Sequence, residues 1–348
     1  MKNITIGNKI VGEKEPCFVI AEAGINHNGN FKLAKKLVDV ASKAGVDAVK
    51  FQTFHAESVV TSNIGAAAYM KKALGNDIKQ LDLLKNVELT YDDFKALKKY
   101  CEKKNILFLS TPHSFDAIDF LADLIPAYKF GSGDLTNIPA LQYAARKKKP
   151  MILGTGMATM QEVKEAVDSI KLVGNDQIIV LHCTTTYPCP PEKVNLRAIQ
   201  TMKNELVYLV GYSDHTLGNI VPVAAVTMGA VVLEKHFTID RNLPGPDHRA
   251  SLEPDELKEM MKTIREVEKV MGNGIKKPTE EEENIKKIVR KSIVAKIDIS
   301  KGEIVTENMF DIKRPGTGIE PKYLDRLTGK RTKHRVKKDE VLTWEMIE

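Results

Sequence analysis

The stretch VVLEKHFTI, residues 231–239, decides how the chain is read. Three apolar residues lead into Glu234, Lys235 and His236, and then Phe237 resumes the apolar pattern. A buried strand normally ends in turn residues, whereas this one carries a carboxylate, an ammonium and an imidazole. GYSDHTLGN (211–219) does the same with Asp214 and His215. Upstream lie similar short runs: FVIAEAG (18–24), DAVKFQT (47–53), ILFLSTP (106–112), AYKFGSGD (127–134), PMILGTGM (150–157), QIIVLHCT (177–184) and LVYLVGYSD (206–214). With VVLEKHFT (231–238) they make eight. Helical stretches such as FKLAKKLVDVASKAG and MQEVKEAVDSIKLVG separate them, and TYDDFKALKKYCEKKN opens with the capping-box spacing of Thr90 and Asp93. Eight strand-then-helix units predict an α/β fold, a parallel (β/α)8 TIM barrel over residues 1–272. A doubly wound sheet is the alternative, but it usually has fewer units and a GxGxxG turn after its first strand, which is absent.

GNGIKKPTEEEEN (272–284) breaks the alternation with Gly, Pro and a run of Glu, so residues 273–284 read as a linker. Beyond it, KGEIVTENMF (301–310) resembles KDEVLTWEMI (338–347), which predicts a small pseudo-symmetric domain over 285–348. From Ile285 onward the chain has 16 Lys+Arg against 10 Asp+Glu, which is the whole formal excess of +6. That basic tail suits an anionic ligand or a partner subunit. Its few aromatics, Phe310, Tyr323 and Trp344, and the lack of an RNP-like motif set nucleic acid aside. No apolar run nears the ~18 residues of a membrane span, and MKNITIGNKIVGEKEP has no apolar signal-peptide segment. Four cysteines (17, 101, 183, 189) without CxxC spacing give the expectation of a reduced, cytoplasmic protein.

Each run is apolar in its body and polar at its tip. In a barrel these tips surround the C-terminal mouth, where the active sites of this fold are built. One polar tip would be ordinary turn or cap chemistry, and a lone His is usually a hydrogen-bonded core residue. Eight tips carrying carboxylate, ammonium, hydroxyl and imidazole predict an active site. Lys50 and Lys129, with Thr111, Ser132, Ser213 and the turns GSGD and GTGM, suit a small phosphorylated anion. His215 and His236 come from adjacent strands and could share a divalent metal, with carboxylate or water completing the shell. That donor set suits Mn²⁺ or Mg²⁺ better than a closed zinc site; the alternative is that either His is an acid or base. Glu22 and Glu234 are the catalytic candidates, Glu22 as general base or proton relay if burial tunes its pKa.

At these residues the sequence resembles the sialic acid synthase family, phosphoenolpyruvate-condensing enzymes that make nine-carbon nonulosonic acids. The matching stretches are IAEAGINHNG, VKFQTF, STPHS, YKFGSGDLTNIP, GTGMA, LHCTTTYP, GYSDHT, EKHFTIDRNLPGPDH and, in the tail, KRPGTGI. The resemblance implies a barrel followed by a small antifreeze-like (SAF) domain, in a domain-swapped homodimer whose tail covers the partner's barrel mouth. It implies metal ligation by His215 and His236. It places Lys50, Thr111, Lys129, Ser132 and Ser213 in the phosphoenolpyruvate pocket and Glu22 in catalysis. Gln52, Tyr187 and Asp247 would hold the acylamino sugar, and Arg314 would come from the partner's SAF domain.

The implied reaction is condensation of phosphoenolpyruvate with open-chain N-acetylmannosamine and water, giving N-acetylneuraminate and phosphate. Three positions depart from the usual pattern: Asp134 where Glu is common beside the sugar, Gly154 where many have Ser, and Thr185 where some have Asn. The same departures resemble N,N'-diacetyllegionaminate synthases, which use a 2,4-diacetamido-2,4,6-trideoxy sugar, and this is the alternative product. 3-Deoxy-ulosonate synthases lack the SAF tail and the GPDH stretch. A non-catalytic carbohydrate- or ice-binding protein would need a flat, weakly charged surface, and this tail is basic.

Overall fold

The computed structural model describes residues 3–62 and 79–348. It forms two compact units, Met1–Gly272 and Asn273–Glu348.

In the first unit a hairpin, β1 (Ile4–Ile6) and β2 (Lys9–Val11), precedes eight parallel strands. These are β3 (Phe18–Gly24), β4 (Ala48–Thr53), β5 (Leu107–Pro112), β6 (Tyr128–Phe130), β7 (Met151–Gly154), β8 (Ile178–Cys183), β9 (Leu209–Asp214) and β10 (Val232–His236). Their hydrogen-bonded order is β5-β4-β3-β10-β9-β8-β7-β6. The end strands β5 and β6 pack side by side, so the sheet is a nearly closed barrel. The surrounding helices carry the signals their sequences promised. Helix Phe31–Ala44 buries Ala34, Leu37, Val38 and Ala41, one stripe of a 3.6-residue repeat. Gly45 ends it at φ 79°, where only glycine is unstrained. Thr90 and Asp93 form the expected capping box of helix Tyr91–Lys103.

Alternation along the strands answers the question posed by residues 234–236. Phe18, Ile20, Ala48, Leu109, Ile152, Ile179, Leu181, Leu209 and Val232 fill the barrel interior. Val19, Ala21, Val49, Phe108, Leu153, Val180, Val210 and Leu233 face the helices. Glu234 and His236 therefore continue the inward row begun by Val232, while Lys235 belongs to the outward row of Leu233 and Phe237. Ile4, Ile6 and Val11 of the hairpin join the interior cluster. The hairpin thus stoppers the barrel at its N-terminal end.

In the second unit, the segment read as a linker is helical from Glu280: helix Glu280–Val289 is capped by Thr279 and Glu282. Four acidic residues in its first turn and Lys286 and Lys287 in its last complement the helix dipole. β11 (Ser292–Ala295) and β12 (Phe310–Lys313) pair antiparallel. The two motif copies have matching backbones. Thr306 and Thr343 have φ,ψ of −122°,158° and −121°,159°, each followed by a short 3₁₀ turn. Gly302 and Asp339, at equivalent positions, have φ of 77° and 65°. Val305, Phe310, Leu342 and Ile347 meet in one small core. No helix among the described residues is long and apolar enough to cross a membrane.

Candidate active site

The inward rows end in a cavity of about 220 Å³ at the C-terminal mouth of the barrel. Glu22, Lys50, Gln52, Thr111, Lys129, Ser132, Tyr187, Ser213, His215, Glu234, His236 and Asp247 all line it. These are the barrel residues singled out from the sequence, Asp134 excepted. Asp134 sits in the turn after β6, with Oδ2 3.6 Å from Nδ1 of the lining residue His113. Arg314 belongs to the second unit and is exposed just after β12.

The polar floor is a chain of alternating charge. Lys50 Nζ lies 2.7 Å from Glu22 Oε2 and 3.8 Å from Glu234 Oε2, and donates to Thr111 Oγ1 at 3.0 Å. Lys129 Nζ is 3.2 Å from Glu234 Oε1, to which Ser213 Oγ also donates at 3.0 Å. Gln52 Nε2 donates to Glu22 Oε1 at 3.2 Å. All four charged side chains are at most 5% exposed. Such groups keep their charge only by pairing. The two carboxyls are driven apart. Burial, reinforced by nearby Glu234 and only partly offset by Lys50, raises Glu22 above the usual carboxylate range. Glu234 is equally buried, but Lys129 and Lys50 outweigh that and hold it below the range. One carboxyl shifted up beside another shifted down is the pattern of an acid–base pair. Burial and Glu22 push Asp247 up to about 7. Gly24 (φ +52°) lies among Gln52, Glu22 and Asp247, where a Cβ would come within 3.3 Å of the first two.

His215 and His236 have ring centroids 5.6 Å apart, and Tyr187 packs on both at 4.2 and 5.7 Å. His215 Nδ1 lies 2.8 Å from the Thr184 carbonyl, which fixes the proton there and leaves the lone pair on Nε2. Burial lowers both imidazoles, and His215 lowers His236 further. His236 Nδ1 is buried without a hydrogen-bond partner, 4.0 Å from Asp247 Oδ2. Two neutral imidazoles, one oriented by a carbonyl, are in the form that ligates a cation. Among the described residues no group of three or more His, Cys, Asp or Glu could hold a metal. The protein therefore offers two nitrogen donors, which suits an open, labile site rather than structural zinc.

Other polar tips belong elsewhere. Lys235 and Asp214 face each other across β10 and β9 on the helix side, fully buried, with Asp214 also accepting from Tyr212 and Thr216. His182 is bound to the Val194 carbonyl, and Ser110 to Thr53. These are structural because each falls on the outward parity. The cavity also has an apolar wall that sequence reading missed, made of Ile25, Phe54, Val59 and Leu84, with His113 beside it. His113 stands in the quoted stretch STPHS, so its place after a strand tip was legible although no role was assigned to it.

A barrel whose mouth gathers two lysines, three carboxyl groups and three histidines in one cavity is built as the active site of a barrel enzyme. The sequence matches the NeuB family over residues 37–276 and the SAF domain over residues 290–348. The chain belongs to the NeuB family of nonulosonic acid synthases. It is 44% identical to the N,N'-diacetyllegionaminic acid synthase of Legionella pneumophila, over 98% of either chain. Its identity to the human N-acetylneuraminate-9-phosphate synthase is 35%, over 97% of this chain and 94% of that one. The structure of the N-acetylneuraminic acid synthetase of Leptospira borgpetersenii in complex with citrate matches with a TM-score of 0.72 at 35% identity, covering 82% of this chain and 95% of that one. These identities favour the alternative product of the sequence analysis over N-acetylneuraminate.

Proposed function

We propose that the protein condenses phosphoenolpyruvate with 2,4-diacetamido-2,4,6-trideoxymannose and water, giving N,N'-diacetyllegionaminate and phosphate. The observation that carries the choice of sugar is the apolar wall of Ile25, Phe54, Val59 and Leu84 along an otherwise charged cavity. A trideoxy sugar with two acetyl groups brings three methyls to cover such a wall. N-acetylmannosamine brings one methyl and more hydroxyls, which would lose hydration there without gaining partners. The higher identity to the Legionella enzyme supports the same reading.

Lys50, Lys129, Thr111, Ser132 and Ser213 bind the phosphate and carboxylate of phosphoenolpyruvate by charge-assisted hydrogen bonds. Gly156 N–H donates to Ser132 Oγ at 2.8 Å and so holds that hydroxyl in place. Gln52, Tyr187 and Asp247 hold the sugar. His215 and His236 would hold Mn²⁺ or Mg²⁺, which supplies Lewis acidity to the aldehyde oxygen. C3 of phosphoenolpyruvate bonds to the aldehyde carbon while Glu22, its pKa raised by burial, gives a proton to the aldehyde oxygen. Water adds at C2, losing one proton to Glu234; the C2–O bond to phosphate then breaks, phosphate leaving with the bonding pair and the remaining hydroxyl proton, so that C2 becomes the ketone. Lys50, in contact with both carboxyls, returns the proton from Glu234 to Glu22 and resets the site. Arg314 reaches the barrel mouth of a partner subunit in a domain-swapped homodimer.

The test is phosphate release from phosphoenolpyruvate with either sugar, with Mn²⁺ and again with EDTA. The expected result is metal-dependent release, faster with the trideoxy sugar. Faster release with N-acetylmannosamine would assign N-acetylneuraminate, the second reading, which the match to the Leptospira structure favours. Undiminished release in EDTA would remove the metal.

A further inference from the structure

His113 lines the cavity, yet neither the anion pocket nor the histidine pair uses it. Its backbone N–H donates to the Thr53 carbonyl at 3.2 Å, which ties the turn after β5 to the end of β4. Its ring meets Phe54 edge-on, with centroids 6.0 Å apart. On its other side Nδ1 faces Asp134 Oδ2 at 3.6 Å. The imidazole therefore joins the apolar wall to the one acid that departs from the sialic acid synthase pattern. Around the barrel, β5 and β6, which present His113 and Asp134, stand opposite β9 and β10, which present His215 and His236. On the proposed function, a sugar whose aldehyde lies at the histidine pair would extend across the mouth toward the side of His113.

We propose that His113 is a specificity-determining residue that accepts a hydrogen bond from the second acylamino group of the sugar. This rests on the trideoxy-sugar reading and names the residue that recognises its distinguishing group. The Asp134 carboxylate, 3.6 Å from Nδ1, favours the tautomer with the ring proton on Nδ1, which would leave Nε2 to offer a lone pair to an amide N–H. Burial, reinforced by Lys50 and Lys129, pushes the imidazole down to about 4, so it remains an acceptor at neutral pH. The acetyl methyl of the same amide then rests on Phe54. An amide N–H points in one fixed direction and is stranded when its acceptor is removed, whereas a hydroxyl rotates to another partner. Loss of His113 should therefore harm the diacetamido sugar selectively.

The experiment compares kcat and KM for both sugars in wild type, His113→Phe and His113→Gln. His113→Phe keeps a ring against Phe54 and removes the acceptor. Its kcat/KM for the diacetamido sugar should fall about tenfold or more, chiefly through KM. For N-acetylmannosamine the change should stay within about threefold, with KM for phosphoenolpyruvate unchanged. His113→Gln restores an acceptor and should recover most of the loss. Equal losses for both sugars, or no loss for either, would overturn the inference while leaving the proposed reaction standing. A wild type that prefers N-acetylmannosamine would overturn the sugar assignment and this inference with it.

Discussion

Glu234 shows how much one residue of the site is asked to do. It receives Lys129 and Ser213 on one oxygen and faces Lys50 with the other. It also occupies the charge that an incoming phosphate must share. Replacing it by Gln keeps the shape, releases Lys129 from its carboxylate and leaves Lys50 paired with Glu22 alone. For Glu234→Gln we expect KM for phosphoenolpyruvate to stay the same or drop, and kcat to fall by about 10²-fold or more, as for loss of a general base. Steady-state phosphate release measures both. A raised KM with normal kcat would show that Glu234 only shapes the anion pocket. At this scale the sequence was informative, because a polar residue at a strand tip can be read directly. What it did not reveal was side. Glu234, Lys235 and His236 look equivalent in one dimension, and only the strand's alternation divides them into two inward groups and one outward. His113 escaped because a single imidazole after a strand has no pattern to betray it.

Among the elements, the outward pair Lys235–Asp214 locks β10 to β9 beneath the helices, and Lys235 also binds the Thr216 carbonyl. Removing one partner strands a buried charge. Lys235→Ala should cost about 3–5 kcal/mol in denaturant unfolding. The double change Lys235→Met with Asp214→Asn should recover at least half of that. A double variant no better than the single would show that the pair acts through its hydrogen bonds and not its charge. The eight strands and their capped helices were legible because each repeats a signal over many residues. The hairpin at Ile4–Val11 was not, since three-residue strands are too short to show alternation. The helix Glu280–Val289 was hidden by its own Glu run, which resembles a solvated linker until Thr279 and Glu282 are seen to close a capping box. The repeated tail motif was readable because its two copies share their turn backbone as well as their residues.

For the whole molecule, the proposed swap makes a prediction that no single-chain enzyme would meet. His236→Ala disables a barrel, and Arg314→Ala disables a tail. Each alone should be nearly inactive with sugar while still binding phosphoenolpyruvate. Co-expressed in equal amounts, half of the dimers would be mixed, each with one barrel and one tail intact at the same mouth. About a quarter of wild-type activity should return. No recovery would place each tail on its own barrel, and normal activity of Arg314→Ala alone would remove Arg314 from the site. The hairpin at the other end of the barrel has a different consequence. A vessel stoppered below has a single door, so traffic must queue. On the proposed function, the anion destined for the lysine floor is expected to enter before the sugar that sits above it. An early-arriving sugar would block the way down, and the product would depart before the next anion descends. An ordered mechanism is thus the expected consequence of a barrel filled by its own side chains and plugged below by Ile4, Ile6 and Val11, three residues at the opposite end of the barrel from any chemistry.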